Sequence, residues 1–334
     1  MGGPADGGGS GEDRLIARFF RPIAGAGALG LLDDAALLSP PEGCDLVLTK
    51  DAVVAGVHFF ADDPPASVAK KALRVNLSDL AAKGAAPLGA LLAIALPKGT
   101  GDAWIEAFAA GLGADAALHG CPILGGDTVA TPGPVTITIT ALGAVPKGGF
   151  VPRTGARPGQ AILISGTIGD AALGLKLRLG PRDAPFGDLD AGGRSHLLDR
   201  YLHPQPRLAL APALRAHAAA AMDVSDGLAG DLAKMLAASG CGGTLDARLV
   251  PLSAAAATVT GGRADMLKAA LTGGDDYEIL ACVPQAAVPA FIAAAARAGV
   301  PVAVIGETQA GEGLDVIGPD GAPLDLGAGS YSHF

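Results

Sequence analysis

The sequence feature that most limits the fold of this chain is an alternation of short apolar runs with segments of helical periodicity. The candidate strands are residues 45–49, 88–96, 121–124, 135–145 and 160–165. Each has strand length and is rich in aliphatic residues. Residues 66–82 and 102–118 carry apolar side chains at helical spacing instead. This mixed order predicts the α/β class, with mixed sheets of the α+β type.

Residues 146–159 are rich in glycine and proline and predict a domain boundary. The length of 334 residues agrees with two domains. We therefore expect a flexible Gly-rich tail at 1–11, an N-terminal domain at 12–147 and a C-terminal domain at 148–334.

Local patterns give further expectations. Helices are predicted at 12–23 and at 228–238, the second ended by Gly240. Residues 180–195 resemble a surface loop. Residues 25–30 match G-x-G-x-x-G, but a helix rather than a strand precedes them, so we interpret them as a flexible loop. The chain contains no G-x-x-x-x-G-K-[ST] motif, so any ATP site is not a P-loop.

Composition excludes several classes of protein. The net charge of −9, without a basic run, argues against nucleic-acid binding. No apolar stretch is long enough for a membrane span, and the N-terminus lacks the pattern of a signal peptide. We therefore expect a cytoplasmic protein. The four cysteines have no metal-ligand spacing, and we expect them to be reduced core residues.

Aspartates beside apolar runs and glycines are the most informative feature. They are Asp33, Asp34, Asp51, Asp79, Asp127, Asp223, Asp226, Asp275 and Asp276. If several converge they need cations, since two unit charges about 5 Å apart repel by about 3 kcal/mol at an effective dielectric near 20. Oxygen ligands without Cys or His favour Mg²⁺. Mg²⁺ with few basic side chains indicates a triphosphate held through metal ions.

Each aspartate alone has a simpler interpretation as a turn residue or helix cap. Asp226, together with Ser225, is well placed to cap the helix that follows. For Asp33 and Asp63 we favour the turn interpretation.

Nine ordered segments between residues 12 and 334 carry a specific resemblance. They are GEDRLIARFF, DDAALL, TKDAVVAGVHF, KALRVNLSDLAAKGA, LGGDT, VPRTGARPGQ, DVSDGL, GGDDYEIL and SYSHF. Together they resemble the thiamine-monophosphate kinase family, which shares a superfamily with aminoimidazole ribonucleotide synthetase. The resemblance implies a two-domain fold, a homodimer formed through the N-terminal domain, and ATP and Mg²⁺ bound between the domains.

The resemblance also implies roles for particular residues. Those matching metal ligands are Asp34, Thr49, Lys50, Asp51, Asp79, Asp127, Asp223 and Asp226. Lys50 stands where the family usually has Thr or Ser, so it offers only its backbone carbonyl. Those matching ATP contacts are Gly126, Asp127, Arg153 and Ser225. His58 and Asp275 match substrate contacts. The simpler interpretations are a strand residue for Thr49, a surface ion pair for Arg153 and a core histidine for His58.

Three further positions depart from the family pattern. Leu32 replaces a usual Gly, Asp275 a commoner Glu, and small residues near Ala328 an expected aromatic.

The implied reaction is direct in-line transfer of the γ-phosphoryl group of ATP to thiamine monophosphate, giving thiamine diphosphate. No general base is expected, because the acceptor phosphate is largely dianionic at neutral pH. Three alternatives stay open: another phosphotransferase or ligase of the superfamily, a non-catalytic Mg²⁺–nucleotide binding module, and an α/β protein whose aspartates only cap helices and turns.

Overall fold

A computed structural model describes residues 11–180, 185–327 and 329–330. The chain forms two compact units. Unit 1 comprises Leu48–Asn76, Pro87–Gly143 and the described residues up to Glu42. Unit 2 comprises Gly43–Val47, Leu77–Ala86 and the described residues from Ala144. The predicted tail, apart from Gly11, lies outside the described residues, as do Ala328 and the last four residues of the SYSHF motif.

The first described segment is helical, as predicted, but its geometry changes along its length. Helix α1 (Gly11–Leu15) continues as a π-helical turn at Ile16–Phe20 and a 3₁₀ turn at Arg21–Ile23. Pro22 explains the last change, because proline lacks the N–H that a longer helix needs. The 25–30 motif is largely a 3₁₀ segment, Ala26–Leu31, rather than an irregular loop.

Unit 1 is built on a four-stranded sheet with strand order β1-β4-β2-β3, and β2 and β3 are parallel. Its strands are β1 (Cys44–Val54), β2 (Ala86–Pro97), β3 (Ile123–Thr131) and β4 (Thr136–Pro146). Its helices are α2 (Pro65–Ala82) and α3 (Asp102–Leu118), close to their predicted bounds. Gly111 of α3 lies so close to α2 that an added Cβ would be 2.6 Å from the Ala66 Cα.

One face of this sheet is packed and the other carries exposed apolar side chains. In β4, Ile137 and Ile139 are buried while the threonines between them are half-buried, as the alternation predicts. The continuous apolar run at 88–96 is typical of a strand buried on both faces, but here one face is open, because Leu91 is 39% exposed. Leu46 and Leu48 of β1 are also exposed.

Two strands are longer than the sequence predicts. Asp51 and the Gly125–Asp127 motif lie inside β1 and β3, not after their ends. In β3 the register pairs Leu92 with Gly126 and Ala93 with Asp127. Pairing with β2 therefore continues the strand through residues of low β-propensity.

Unit 2 contains a six-stranded mixed sheet with strand order β10-β7-β9-β5-β8-β6. Its strands are β5 (Gln160–Ser165), β6 (Ala220–Asp223), β7 (Gly242–Asp246), β8 (Ile279–Pro284), β9 (Val302–Gln309) and β10 (Leu314–Ile317). The β10–β7 pair is parallel, and β5 is antiparallel to both β8 and β9. The predicted α/β class with mixed sheets is confirmed.

Helices cover both faces of this sheet. They are α4 (Asp170–Leu179), α5 (Ala191–Leu202), α6 (Ala211–His217), α7 (Leu228–Ser239), α8 (Ala254–Thr260), α9 (Ala264–Thr272) and α10 (Val288–Arg297). Ile162 of β5 joins one core with Met235 of α7, while Leu163 joins another with Phe291 of α10. A strand buried on both faces explains the continuous apolar run at 160–165.

The loop predicted at 180–195 is wrong from residue 191 onward. Helix α5 begins there, and the Asp190 side chain caps it by accepting from the Gly193 N–H at 2.6 Å. Residues 181–184 lie outside the described part of the chain.

The four cysteines are free thiols, as predicted. Cys44 is half-buried and the other three are buried. Burial raises the pKa of Cys121 and of Cys282 to about 12, so both thiols stay protonated at neutral pH. Among the described helices, none combines the length and the apolar character that a membrane span requires.

Candidate active site

Unit 1 contains a cavity of about 530 Å³ at which several of the predicted site residues meet. Asp34, Gly126 and Asp127 line it, together with Asp33. Its other walls are mainly apolar and include Phe20. Asp34 and Asp127 are exposed, so their carboxylates are accessible to a ligand. The cavity thus joins an apolar recess to an acidic edge.

Gly126 reaches this edge because it has no side chain. An added Cβ would lie 1.7 Å from the Leu92 carbonyl oxygen, and the backbone φ is 157°. Glycine is required where one strand backbone approaches another this closely.

Strand β1 presents Thr49 and Asp51 on one face and Lys50 on the other, because side chains alternate along a strand. The Asp51 N–H donates to the Asn76 side-chain oxygen at 3.1 Å. Asn76 is completely buried, and its amide donates to the Ala72 carbonyl at 3.0 Å. Asn76 therefore fixes the backbone at Asp51. In the sequence Asn76 stands within the KALRVNLSDLAAKGA motif, and a polar amide among the apolar residues of a predicted helix is the signal that could reveal its role.

His58 is half-buried and its orientation is fixed by two hydrogen bonds. Its Nδ1 accepts from the Val54 N–H at 3.1 Å, so the ring proton of the neutral form lies on Nε2. The buried Lys71 ammonium donates to the His58 carbonyl at 2.9 Å. The interpretation of His58 as a core histidine is therefore only partly correct, because the residue is half-buried rather than buried.

In unit 2, Asp79 and Asp223 interact electrostatically with Lys83. The Lys83 ammonium donates to the Ala221 carbonyl at 2.8 Å. Burial lowers the pKa of Lys83, the two carboxylates raise it, and the exposed Arg153 lowers it again. Overall the pKa of Lys83 is lowered, with burial as the largest cause, and its ammonium interacts with two predicted metal ligands. Sequence reasoning missed Lys83, which stands in the KALRVNLSDLAAKGA motif at the end of a predicted helix.

The turn from β6 to α7 carries Ser225 and Asp226, but Asp226 is not the helix cap. The N-cap position is Gly227, which has no side chain. One oxygen of Asp231 instead accepts from the N–H groups of Ser225, at 3.0 Å, and of Asp226, at 2.9 Å. The prediction that Ser225 and Asp226 cap the helix is therefore wrong. The buried Asp231 side chain, in the first turn of α7, instead accepts the backbone hydrogen bonds of this turn.

Lys234 completes this arrangement. Its ammonium donates to Asp226 at 2.6 Å and to Asp231 at 3.0 Å. Burial raises the pKa of Asp231, and hydrogen bonds from Asp226 and Lys234 oppose the rise. Partial burial lowers the pKa of Lys234, but its two hydrogen-bonded carboxylates raise it by more. The pKa of Lys234 is therefore raised overall, and its ammonium stays charged at neutral pH.

Asp275 lies next to Ser225. Its N–H donates to the Ser225 carbonyl at 2.9 Å, and the Tyr277 N–H donates to the Val224 carbonyl at 2.8 Å. Asp275 and Tyr277 have positive φ angles of 74° and 51°. Non-glycine residues adopt this region at a cost that the surrounding structure must offset.

Two buried carboxylates alternate with these strained residues and hold the loop. Asp276 accepts from the Gly169 N–H at 2.8 Å, and its complete burial raises its pKa well above the usual range. Glu278 receives hydrogen bonds from Arg200 at 2.8 Å, Arg207 at 2.7 Å and Ser165 at 2.6 Å. The loop that presents Asp275 is thus anchored by a backbone hydrogen bond to Asp276 and by the ion pairs of Glu278.

Across residues 11–180, 185–327 and 329–330, no group of three or more Asp, Glu, His or Cys side chains forms a metal cage. The predicted ligands nevertheless suit Mg²⁺ chemically. They are hard oxygen donors, and Mg²⁺ commonly uses one or two carboxylates, water and substrate phosphates rather than a complete protein cage.

Two family models match the chain in succession. AIR synthase related protein, N-terminal domain, matches residues 32–145, and AIR synthase related protein, C-terminal domain, matches residues 157–319. A curated thiamine-monophosphate kinase of Caulobacter vibrioides is 46% identical over 282 residues, which are 83% of this chain and 78% of the relative. The chain belongs to the thiamine-monophosphate kinase family. The resemblance inferred from nine motifs is confirmed.

Solved structures of this family have the same fold. Thiamine-monophosphate kinase from Stenotrophomonas maltophilia K279a matches with a TM-score of 0.81 and 38% identity, over 93% of this chain and 96% of that one. AaThiL complexed with AMPPCP and TMP matches with a TM-score of 0.76 and 29% identity, over 90% and 91%. The family assignment therefore covers both units of the chain.

Proposed function

We propose that this chain uses ATP to phosphorylate thiamine monophosphate to thiamine diphosphate. The observation that carries the proposal is the cavity of unit 1, where Asp34, Gly126 and Asp127 form an acidic edge beside an apolar recess. An apolar recess suits a nucleobase, and an acidic edge suits phosphates that arrive with divalent cations. A related structure, AaThiL, was solved with AMPPCP and TMP.

The chain's own residues bind and align the reactants. The acceptor is a phosphate monoester, largely dianionic at neutral pH, so it needs no base to activate it. The barrier comes instead from bringing two polyanions together in line. Mg²⁺, when bound, would supply neutralisation of this negative charge. The residues that we propose to hold it are Asp34, Thr49, Asp51, Asp79, Asp127 and Asp223, with the backbone carbonyl of Lys50.

Three residues are proposed to hold ATP besides Asp127. They are Gly126, Arg153 and Ser225. Arg153 is exposed and cationic, which suits contact with phosphate oxygens. Lys83, beside Asp79 and Asp223, supplies a second positive charge near the proposed metal ligands. These charges support stabilisation of the equatorial oxygens of the transferred group.

His58 and Asp275 are proposed to contact thiamine monophosphate. With Nδ1 accepting from Val54, the neutral His58 ring has an N–H donor at Nε2 that suits a phosphate or hydroxyl oxygen. The Asp275 carboxylate suits the positive charge of the thiazolium ring. The strained backbone of Asp275 supports a functional role, because such strain concentrates at sites where a side chain must be aimed.

We also propose that two copies of the chain pair through the open face of the unit 1 sheet. Leu46, Leu48 and Leu91 are exposed there, and Val129 of β3 is also exposed. Exposed aliphatic side chains on a sheet are typical of a homodimer interface. The division into domains at 12–147 and 148–334, and a cytoplasmic location, remain predictions of the sequence.

The test is end-product analysis of the purified protein with ATP, MgCl₂ and thiamine monophosphate, with a chelated control. We expect thiamine diphosphate and ADP to form only when Mg²⁺ is present. Asp79→Asn should nearly abolish turnover, and near-normal kcat in that variant would count against the metal role of Asp79. ATP binding without any product would support the non-catalytic binding module instead.

A further inference from the structure

The turn at Ser225 and Asp226 already contains a cation of its own. The Lys234 ammonium lies 2.6 Å from an Asp226 oxygen and 3.0 Å from an Asp231 oxygen. The resemblance assigns Asp226 to a further metal ion, and that ion would need the same carboxylate. Asp226 and Lys234 are each about two-fifths exposed, so the pair lies at the surface of the turn.

Lys234 is held in place by more than a single contact. Asp231 is only 1% exposed, and its second oxygen is engaged by the backbone N–H groups of Ser225 and Asp226. Moving Lys234 away would leave the buried Asp231 carboxylate without its ion-pair partner, which is unfavourable. Lys234 and Asp231 are also three residues apart on α7, where side chains are neighbours. The ion pair with Asp231 therefore holds the Lys234 ammonium next to Asp226. A metal ion bound to Asp226 would not take over this contact with Asp231.

A metal ion at Asp226 would also face an unfavourable charge. A divalent cation bound to the carboxylate that Lys234 contacts would lie within a few ångströms of the ammonium, and like charges at that distance repel. Lys234 would have to turn toward solvent before the ion could bind.

We propose that Lys234 is the resident cation of Asp226, so that this chain has a tethered ammonium where the resemblance implies a metal ion. The inference rests on the proposed Mg²⁺-dependent function, since it concerns a residue that the resemblance assigns to a metal ion. Lys234 is a positioning residue in this account. It neutralises Asp226 and keeps Asp231 fixed under the backbone of Ser225 without touching the reacting phosphates.

The test counts the Mn²⁺ ions bound per chain by electron paramagnetic resonance, with the nonhydrolysable analogue AMPPCP present. Asp226→Asn should bind as many ions as the wild type, because Asp226 holds none. Lys234→Gln should gain one ion or bind its weakest ion more tightly, because the competing charge is gone. The double variant Asp226→Asn/Lys234→Gln should return to the wild-type count.

Two controls isolate the charge at this position. Lys234→Arg keeps a cation there and should keep the wild-type count. Lys176→Gln removes the same charge from an exposed position on α4 and should also leave the count unchanged. Thermal unfolding shows which variants fold. If Lys234→Gln does not fold, Asp226→Asn alone still decides the matter.

Two results would overturn the inference while the proposed function stands. One is the loss of an ion in Asp226→Asn, which would show that Asp226 already holds a metal. The other is an unchanged count and affinity in folded Lys234→Gln. Absence of bound Mn²⁺ in the wild type itself would overturn the proposed metal-dependent function, and this inference with it.

Discussion

Unit 1 and unit 2 hold their candidate carboxylates by different means. In unit 1, Asp34 and Asp127 are exposed at the edge of a cavity. In unit 2, the turns that carry Asp226 and Asp275 rest on the buried carboxylates of Asp231 and Glu278. These buried groups are paired with lysine and arginine side chains.

Under the proposed function, the two units prepare a binding site for polyanions in different ways. In unit 1 the exposed Asp34 and Asp127 carboxylates line a cavity, so a ligand that brings cations is favoured there. Unit 2 supplies its own cations and uses them to fix backbone geometry. Substitution of the exposed carboxylates of unit 1 should therefore affect catalysis more than stability, and substitution of the buried, ion-paired carboxylates of unit 2 should affect stability first.

The strongest test of the unit 1 side is Asp127→Asn. We expect kcat to fall about a thousandfold, comparable to removal of one preorganised electrostatic group from an active site. The melting temperature should change little, because an exposed carboxylate contributes little to folding. Steady-state kinetics and thermal unfolding of the same sample measure both effects. A stable variant with near-normal kcat would contradict the proposed role of Asp127.

The corresponding substitution in unit 2 is Glu278→Gln. It leaves the guanidinium groups of Arg200 and Arg207 without their buried carboxylate, and breaking a buried ion pair costs about 3–5 kcal/mol. Urea unfolding should show this loss. Asp188→Asn is the matched control, because Asp188 pairs with Arg263 at an exposed position and should cost about 1 kcal/mol or less. Equal losses in the two variants would remove the distinction between buried and exposed pairs.

The comparison also explains which features could be predicted from sequence. Strand β5 and helix α3 were predicted with correct bounds, because their periodicity and their flanking glycines and prolines agree with the packing. The ends of β1 and β3 were predicted too early. There, hydrogen bonding to a neighbouring strand continues the structure through Asp51 and Asp127, and local propensity carries no information about that neighbour.

The acidic motifs could be recognised because each is contiguous in sequence. The buried ion pairs that hold their loops in place could not be recognised. Glu278 is 78 and 71 residues from its partners Arg200 and Arg207, and no local pattern connects them. The ion pair of Lys234 with Asp231 is an exception, because it could have been predicted from the sequence. The spacing of three residues between the two on a predicted helix indicates an ion pair, although not the additional contact with Asp226.

A backbone substitution tests the close approach of strands in unit 1. Gly125 and Gly126 have nearly the same φ, 158° and 157°. An added Cβ would be 3.6 Å from the Leu91 side chain at Gly125 but 1.7 Å from the Leu92 carbonyl oxygen at Gly126. Gly126→Ala should therefore cost about 2–3 kcal/mol through backbone displacement, and Gly125→Ala about 1 kcal/mol through strain alone. Similar unfolding free energies for the two variants would show that contact with β2 is not what requires glycine.

The smallest expected effect concerns a buried ion pair of unit 1 between α2 and the C-terminal part of α3. Arg74 and Asp115 are joined by hydrogen bonds of 2.6 and 2.8 Å, and the nearby His119 Nε2 is 3.9 Å from an Asp115 oxygen. Burial lowers the pKa of His119, Asp115 raises it and Arg74 lowers it again. The folded chain therefore binds a proton at His119 less readily than the unfolded chain, whose histidine pKa is about 6.5.

This difference gives a pH dependence of defined sign. As the pH falls below about 6.5 the unfolded state takes up more protons, so His119 lowers stability until the folded-state pKa is also passed. Urea unfolding at about pH 7.5 and about pH 5.5 measures the change. His119→Gln should lose less stability between these two pH values than the wild type does. An equal loss in both proteins would show that other groups, and not this histidine, set the acid sensitivity of unit 1.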